Sequence, residues 1–250
     1  MLEIYLRIRG LTQSFKDRQV LRGIDMEIFR GETLVIIGSS GGGKSVLLKH
    51  LAGLLRPTSG SIELAGVEIS TLTERELGPI RQQMGVLFQG GALFDSLTVA
   101  ENIAFPLREM GGVEESEIDA RIAEVLAIVG LHGHDQKLPA ELSGGMRKRV
   151  ALARAVVTRL ACVLYDEPHA GLDPQTADSI DHLIKNLQRT HGITSVVVTH
   201  EMKSIFHIAD RVIFLENGRV AWTGTTAELQ ASQNPELRAF VEGDSGEAWE

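Results

Sequence analysis

The chain has 250 residues, 43% of them hydrophobic and 23% charged, which is enough to bury one substantial core. Its formal net charge of −8 argues against nucleic-acid binding, and no uninterrupted apolar stretch reaches the roughly 18–20 residues that span a bilayer. With no evident export signal and one cysteine, Cys162, in an apolar run, we expect a cytoplasmic protein with a buried thiol.

The first predicted strands cover residues 3–9 and 24–28, where apolar and polar side chains alternate. The continuous apolar run at 33–37 is typical of a strand buried on both faces. Residues 46–55 have the pattern of a helix. A buried strand, a glycine-rich loop and a helix therefore follow one another without a gap.

The loop between that strand and that helix matches the Walker A pattern in full and has the sequence Gly38-Ser39-Ser40-Gly41-Gly42-Gly43-Lys44-Ser45. Its glycines let backbone N–H groups converge on phosphate oxygens, and the following helix adds a positive partial charge. We expect Lys44 to neutralise the β- and γ-phosphates of a nucleotide and the Ser45 hydroxyl to ligate Mg²⁺. The alternative is a glycine-rich turn that matches by chance, which the flanking strand and helix disfavour.

Residues 91 to about 148 are predicted to be helical and loop-rich, as an insertion between two parts of a parallel sheet. In the segment before this insertion, Thr71 and Glu74 predict a capping box at the start of a short helix. Within the insertion, Ser116 is predicted to cap a helix that ends at Gly130. The apolar face of that helix is formed by Ile118, Ile122, Val125, Leu126 and Val129.

Strand patterns return at 161–165 and 194–198. A hairpin is predicted between 212–215 and 220–222, because Asn217-Gly218 is a strong turn signal. The last dozen residues are acidic and contain glycine and serine, so we expect them to fray.

Two acidic residues follow the strand at 161–165. We expect Asp166 to hold Mg²⁺ through water, and Glu167 to polarise an attacking water molecule as the general base. The alternative is a pair of surface acids at a strand end, which is the weaker interpretation beside a complete phosphate loop.

The segment Leu142-Ser143-Gly144-Gly145-Met146 narrows the class of nucleotide-binding protein. Ser143 is predicted to cap a helix over 146–157, which leaves its hydroxyl and free N–H groups directed at an anion. The next three residues, Arg147, Lys148 and Arg149, are either a solvated face or a source of positive field for a phosphate.

In this order and spacing, the motifs resemble those of ABC-transporter ATP-binding subunits over essentially the whole chain. The resemblance implies an α/β P-loop NTPase fold within a single domain, 1–250. Its RecA-like core with a parallel sheet and its N-terminal antiparallel β-subdomain would occupy 1–90 and 150–227. An inserted α-helical subdomain would occupy 91–149, and a C-terminal tail 228–250.

The resemblance also implies roles for residues that would be unremarkable alone. Gln89 matches the Q-loop glutamine, which contacts Mg²⁺ and couples to the membrane partner. Asp173 matches the D-loop, His200 the switch histidine that senses the γ-phosphate, and Phe15 the aromatic residue that stacks on adenine.

Two positions depart from the pattern of the family. Met146 stands where the signature usually has glutamine, and His169 stands where serine or threonine usually precedes the D-loop. Neither change removes a predicted phosphate ligand or the predicted base. His169 either alters how the sites couple or is an ordinary surface histidine, and we favour the second interpretation.

The family further implies a head-to-tail homodimer, in which each ATP lies between the Walker A loop of one copy and Ser143–Gly145 of the other. A membrane permease would be driven by this dimer. Soluble non-transport ABC ATPases and nucleotide sensors that do not turn over are the rival classes. The single cassette argues against the first, and Glu167 with His200 against the second.

Three segments, 88–107, 142–146 and 234–243, resemble those of Mla/MCE-type lipid transport ATPases of double-membraned bacteria. This implies phospholipid traffic between the inner and outer membranes, at the cytoplasmic face of the inner membrane. The implied partners are an inner-membrane permease, an MCE substrate-binding protein and often a STAS-domain regulator; a polar-solute importer is the alternative. Phe94, Leu97 and Phe105 either contact the permease or fill the core of the helical subdomain.

Overall fold

The computed structural model describes residues 3–243, and the chain divides into two units, Met1–Leu77 with Val196–Glu250 and Gly78–Ser195. The strands are β1 Ile4–Phe15, β2 Arg18–Phe29, β3 Thr33–Ile37, β4 Ser59–Leu64, β5 Val67–Glu68, β6 Met84–Leu87, β7 Cys162–Asp166, β8 Thr194–Val198, β9 Arg211–Glu216 and β10 Arg219–Gly224. The helices are α1 Lys44–Leu51, α2 Glu74–Arg81, α3 Val99–Met110, α4 Glu115–Ile128, α5 Gly144–Val156, α6 Pro174–His191, α7 Met202–Ile208, α8 Thr226–Ala231 and α9 Pro235–Glu242.

An antiparallel sheet in the first unit has the strand order β2-β1-β4-β5. Strands β1 and β2 extend well beyond the predicted ranges of 3–9 and 24–28 and form one long hairpin. The register shifts between Ile8 and Leu11, where Gly10 has a φ of +55°. This bulge interrupts the alternation of apolar and polar residues, and for this reason the alternation predicts too short a strand.

Strand β3 is buried along its entire length, as predicted. It pairs in parallel with β9, from Leu34 opposite Arg211 to Ile37 opposite Phe214, and β8 is its other neighbour in the sheet order. The hairpin from β9 to β10 turns at Asn217 and Gly218, whose φ angles of +48° and +73° suit a type I′ turn. The parallel pairing and the predicted hairpin are therefore confirmed.

Helix α1 ends at Leu51, four residues before the predicted end at residue 55. Gly53 has a φ of +65°, and the Leu54 N–H donates to the Lys49 carbonyl at 2.9 Å. A left-handed glycine with this hydrogen bond terminates a helix even where apolar residues continue.

In the second unit, β6 and β7 pair in parallel, from Met84 opposite Cys162 to Leu87 opposite Tyr165. Residues 91–149, all of which the structure describes, contain helices and loops but no strand, as predicted. Cys162 is buried, as expected, and burial raises the pKa of its thiol to about 12.

Two helix caps differ from those predicted. Thr73, and not Thr71, caps α2, because Oγ1 of Thr73 accepts the Glu76 N–H at 3.4 Å and the Thr73 N–H donates to Glu76 Oε2 at 2.8 Å. Ser116 lies inside α4, whose N-cap is Glu114 without a side-chain hydrogen bond. The Thr-x-x-Glu pattern occurs twice, two residues apart, so the spacing alone could not choose between the two threonines.

The predicted fraying of the last dozen residues is wrong for 239–242, which belong to α9. Asn234 caps this helix, Leu237 is fully buried, and the rings of Phe214 and Phe240 lie 5.5 Å apart. Residues 244–250 lie outside the described part of the chain. Among residues 3–243, no helix is both long and apolar enough to cross a membrane.

Candidate functional site

The predicted phosphate loop follows β3 directly and is held in place by close backbone contacts. Gly38 has a φ of +148°, and a Cβ there would overlap the backbone oxygen of Leu215. Gly43 has a φ of +99°, and a Cβ there would lie 2.8 Å from a methyl carbon of Leu21. Only glycine fits at these two positions, so the strands around the loop fix its path.

Lys44 lies across its own loop. Its Nζ donates hydrogen bonds to the backbone oxygens of Gly38, at 2.7 Å, and Ser39, at 2.9 Å. Ser45 is exposed in the first turn of α1. The N-cap residue is Gly43, which has no side chain to accept a hydrogen bond from the N–H groups of that turn. A cation, a hydroxyl group and the N–H groups of a helix start fit a phosphate with its Mg²⁺.

A polar cavity of about 370 Å³ adjoins this loop in the first unit. Residues 39–42 form one side of the cavity, and the first part of β2 contributes Arg18 and Arg22 to its lining. A Cβ at Gly41 would lie 3.9 Å from Nη2 of Arg18. Sequence reasoning missed both arginines, although a basic residue three positions after the predicted adenine-stacking Phe15 could have indicated them.

Phe15 ends β1 and is 45% exposed. His200 is also exposed, two residues before α7, and belongs to the same unit as the phosphate loop. Their predicted contacts with adenine and with the γ-phosphate stay predictions.

Asp166 is the last residue of β7, and Glu167 follows it with a left-handed φ of +49°. This conformation is strained for a residue with a side chain and tends to occur at functional sites. The backbone oxygen of Glu167 accepts a 3.2 Å hydrogen bond from Nζ of Lys148. The structure therefore places the predicted base at a tightly held backbone position.

The predicted signature segment forms the start of α5. Ser143 is its N-cap, and the Ser143 hydroxyl accepts a 3.3 Å hydrogen bond from the Met146 N–H. The cap is as predicted, although the helix begins at Gly144, two residues earlier. A Cβ at Gly145 would overlap Cγ2 of Thr176, so α5 and the first turn of α6 approach closely here.

Of the three basic residues after Met146, only Arg147 is exposed as a solvated face requires, and each of the three donates a hydrogen bond to a backbone oxygen. Arg147 donates to the Leu142 oxygen at 2.6 Å, and Lys148 is only 7% exposed. Arg149 donates to the Val129 oxygen at 3.3 Å and to Oγ of Ser179 at 2.8 Å. Each side chain thus joins α5 to another segment of the same unit.

Gln89 is exposed two residues after β6, and Asp173 is the N-cap of α6. Asp173 Oδ1 accepts the Thr176 N–H at 3.0 Å, and Oδ2 accepts its hydroxyl at 2.6 Å. The bonds from Thr176 hold the pKa of Asp173 below its usual value. Thr176 therefore contacts both the predicted D-loop residue and Gly145.

His169 is buried, so the favoured interpretation as a surface histidine is wrong. It is 6% exposed, and its Nε2 lies 2.7 Å from Oδ1 of Asp181, which is 2% exposed. Asp181 lies on α6, twelve positions further along the chain. Only the packing of α6 brings the two together, and the local sequence pattern does not contain that information.

Phe94 and Phe105 contact each other near the surface of the second unit. Their ring centroids lie 4.7 Å apart, and they are 43% and 37% exposed. The interpretation as core-filling residues is therefore wrong for this pair, while Leu97 is half-buried. Exposed aromatic rings in contact are a feature of interaction surfaces.

The family model described as "ABC transporter" matches residues 21–170, which is more than half of the chain. The chain belongs to the ABC transporter family. Its fold is the P-loop NTPase fold of ABC cassettes, as predicted, and cassettes of this family bind ATP with Mg²⁺ and hydrolyse it. The protein is thus an ABC transporter ATPase.

Two relatives and one solved structure show how close the similarity is. The chain is 43% identical over 238 residues to the methionine import ATP-binding protein MetN of Carboxydothermus hydrogenoformans, covering 94% of this chain and 70% of the relative. It is 38% identical over 258 residues to the chloroplastic protein TRIGALACTOSYLDIACYLGLYCEROL 3 of Arabidopsis thaliana, covering 96% and 74%. The ATP-binding cassette MJ0796, in a dimeric post-hydrolysis state with ADP and Pi, superposes with a TM-score of 0.82 at 32% identity, covering 88% and 98%.

Proposed function

We propose that this ABC ATPase acts as a head-to-tail homodimer that drives an inner-membrane permease and moves phospholipid between the inner and outer membranes. The proposal combines three parts: the chemistry of each ATP site, the dimer that completes it and the cargo. Each part is supported by a different observation.

The main support for ATP binding and hydrolysis is the phosphate loop from Gly38 to Ser45. Lys44 and the loop N–H groups bind the phosphates, and Phe15 stacks on the adenine. Ser45, Gln89 and Asp166 are the residues that would hold Mg²⁺, and the ion would supply positive charge to the phosphates. Glu167 accepts a proton from the attacking water, and His200 contacts the γ-phosphate.

For the dimer, the exposed start of α5 carries the proposal. Ser143 and Gly144 present a hydroxyl group and N–H groups where an anion can bind. The γ-phosphate held by one copy would be bound by Ser143–Gly145 of the other, so ATP favours the closed pair and hydrolysis releases it. The dimeric state of the similar cassette MJ0796 supports this arrangement.

For the permease, the exposed ring pair of Phe94 and Phe105 carries the proposal. It lies between Gln89 and the end of α3, in the segment where the family receives its membrane partner. Because each ring is already more than half buried, burying the remainder against apolar side chains of a permease would contribute about 0.6–1.2 kcal/mol per ring. The dimer would thus be peripheral to the cytoplasmic face of the membrane.

For the cargo, the likeness of residues 88–107, 142–146 and 234–243 to lipid transport ATPases carries the proposal. The Arabidopsis relative, which is named after a glycolipid, supports it. An MCE substrate-binding protein and a STAS-domain protein are the further partners we propose. The second candidate is import of a polar solute, which the similarity to a methionine import protein favours.

The cargo can be tested with the complex of this chain and its permease, reconstituted in vesicles with a fluorescent phosphatidylethanolamine. We expect ATP to drive movement of the labelled lipid, and the Glu167→Gln complex to show none. ATP-driven methionine uptake without lipid movement would favour the second candidate. If no permease co-purifies with the chain, the proposal of a transport function is wrong.

A further inference from the structure

The side chain of Lys148 lies inside the second unit although it belongs to the first two turns of α5. Lysine is seldom buried without a partner, because removing its charge from water costs free energy. Here Nζ donates a 3.2 Å hydrogen bond to the backbone oxygen of Glu167. Burial lowers the pKa of Lys148, and the negative charge of Glu167 acts in the opposite direction. The contact with Glu167 therefore offsets part of the cost of burial.

The hydrogen bond from Lys148 also stabilises the backbone conformation of Glu167. A left-handed φ of +49° is unfavourable for a residue with a Cβ, because the Cβ comes too close to the following carbonyl oxygen. The Glu167 oxygen accepts a second hydrogen bond, from the Ala170 N–H at 3.2 Å, which closes the turn after β7. Two residues further on, the buried contact of His169 with Asp181 ties the segment to α6. Lys148 contacts this turn from α5.

We propose that Lys148 is a positioning residue for ATP hydrolysis, which holds the backbone of Glu167 in its left-handed conformation and so fixes the direction of the glutamate carboxylate. The proposal rests on the assignment of Glu167 as the general base made above. Lys148 acts through the backbone of Glu167 and does not contact the nucleotide. A misdirected base lowers the rate of the chemical step and leaves substrate binding intact.

The position of Lys148 also has a consequence for the dimer. Ser143–Gly145 would contact the nucleotide of the partner copy, and Lys148 follows them on the same rigid helix. A displacement of the start of α5 therefore moves the contact that holds Glu167 of the same chain. The hydrolytic base of one copy is in this way linked to the nucleotide of the other.

The test uses Lys148→Met in the full chain, which keeps the apolar stem and removes the donor and the charge. We expect kcat to fall about tenfold, which corresponds to about 1.4 kcal/mol in the barrier, while the Kd for ATP changes less than about twofold. Without nucleotide, hydrogen–deuterium exchange of residues 164–172 should become faster. Lys148→Arg, which retains a charged donor, should recover most of the lost kcat.

Arg149→Met is the matched control, because it removes a neighbouring cation on α5 that bonds Val129 and Ser179 instead. We expect it to lower Tm without changing the exchange of residues 164–172. The proposal is overturned if Lys148→Met retains the wild-type kcat, or if both variants accelerate that exchange equally. Should Lys148→Met fail to fold, Lys148→Leu, which also lacks a hydrogen-bond donor and a charge, replaces it under the same criteria. A Glu167→Gln variant that still hydrolyses ATP would contradict the assignment of the base instead.

Discussion

Glu167→Gln is expected to reduce ATP hydrolysis at least about a hundredfold, because a positioned general base contributes roughly 10²–10⁴-fold to a rate. Glutamine has nearly the shape of glutamate but cannot accept a proton from water. The backbone oxygen of residue 167 accepts the hydrogen bonds from Lys148 and from the Ala170 N–H, and the substitution leaves this oxygen in place. We therefore expect the variant to keep its fold and bind ATP, and to accumulate as the ATP-bound dimer.

A phosphate-release assay measures the rate, and calorimetry measures the affinity for ATP. Glu68→Gln is a suitable control, because Glu68 is exposed in the short strand β5 of the first unit. It makes the same change of charge and should retain the wild-type rate. Wild-type turnover by Glu167→Gln would show that another group activates the water.

Lys44→Ala is expected to weaken ATP binding about 10–100-fold, because a hydrogen bond to a charged group contributes about 1.5–3 kcal/mol. In this structure Nζ of Lys44 is held by the oxygens of Gly38 and Ser39, so the cation is already at the mouth of the loop before a phosphate arrives. Little side-chain entropy is then lost when the nucleotide binds. Removal of the ammonium group takes away both the charge and the support of the loop.

Lys49→Ala separates these effects from a general loss of positive charge. Lys49 is exposed in the last turn of the same helix, α1. We expect its substitution by alanine to change the Kd for ATP by less than about twofold. Thermal unfolding of Lys44→Ala will show whether the loop contacts also stabilise the fold. An unchanged Kd for ATP in Lys44→Ala would exclude its role as a phosphate ligand.

The elements that could be predicted from the sequence are those with local causes. The buried run of β3, the turn at Asn217-Gly218 and the cap of Ser143 each depend on residues within a few positions. The glycines of the phosphate loop also belong here, because their conformations require glycine at those places. The order of these motifs was then sufficient to predict the family.

What the sequence could not predict depends on contacts between distant segments. The burial of His169 requires Asp181 on α6, and the burial of Lys148 requires the turn at Glu167. The exposure of Phe94 and Phe105 follows from how α3 packs, since an apolar residue has the same sequence signature inside or outside a core. The full length of β1 could not be predicted for a similar reason. The bulge at Gly10 interrupts the alternation of apolar and polar residues, and only the pairing with β2 defines the end of the strand.

The most direct test of the shared ATP site is sedimentation of Glu167→Gln with ATP and Mg²⁺, with and without the second substitution Ser143→Arg. Ser143 is exposed at the start of α5, so an arginine can be accommodated in the monomer but would block a partner's nucleotide. We expect Glu167→Gln to sediment as a dimer only with ATP, and the double variant to stay monomeric while it still binds ATP. ATP-dependent dimers of the double variant would contradict a site completed by Ser143–Gly145 of a second copy.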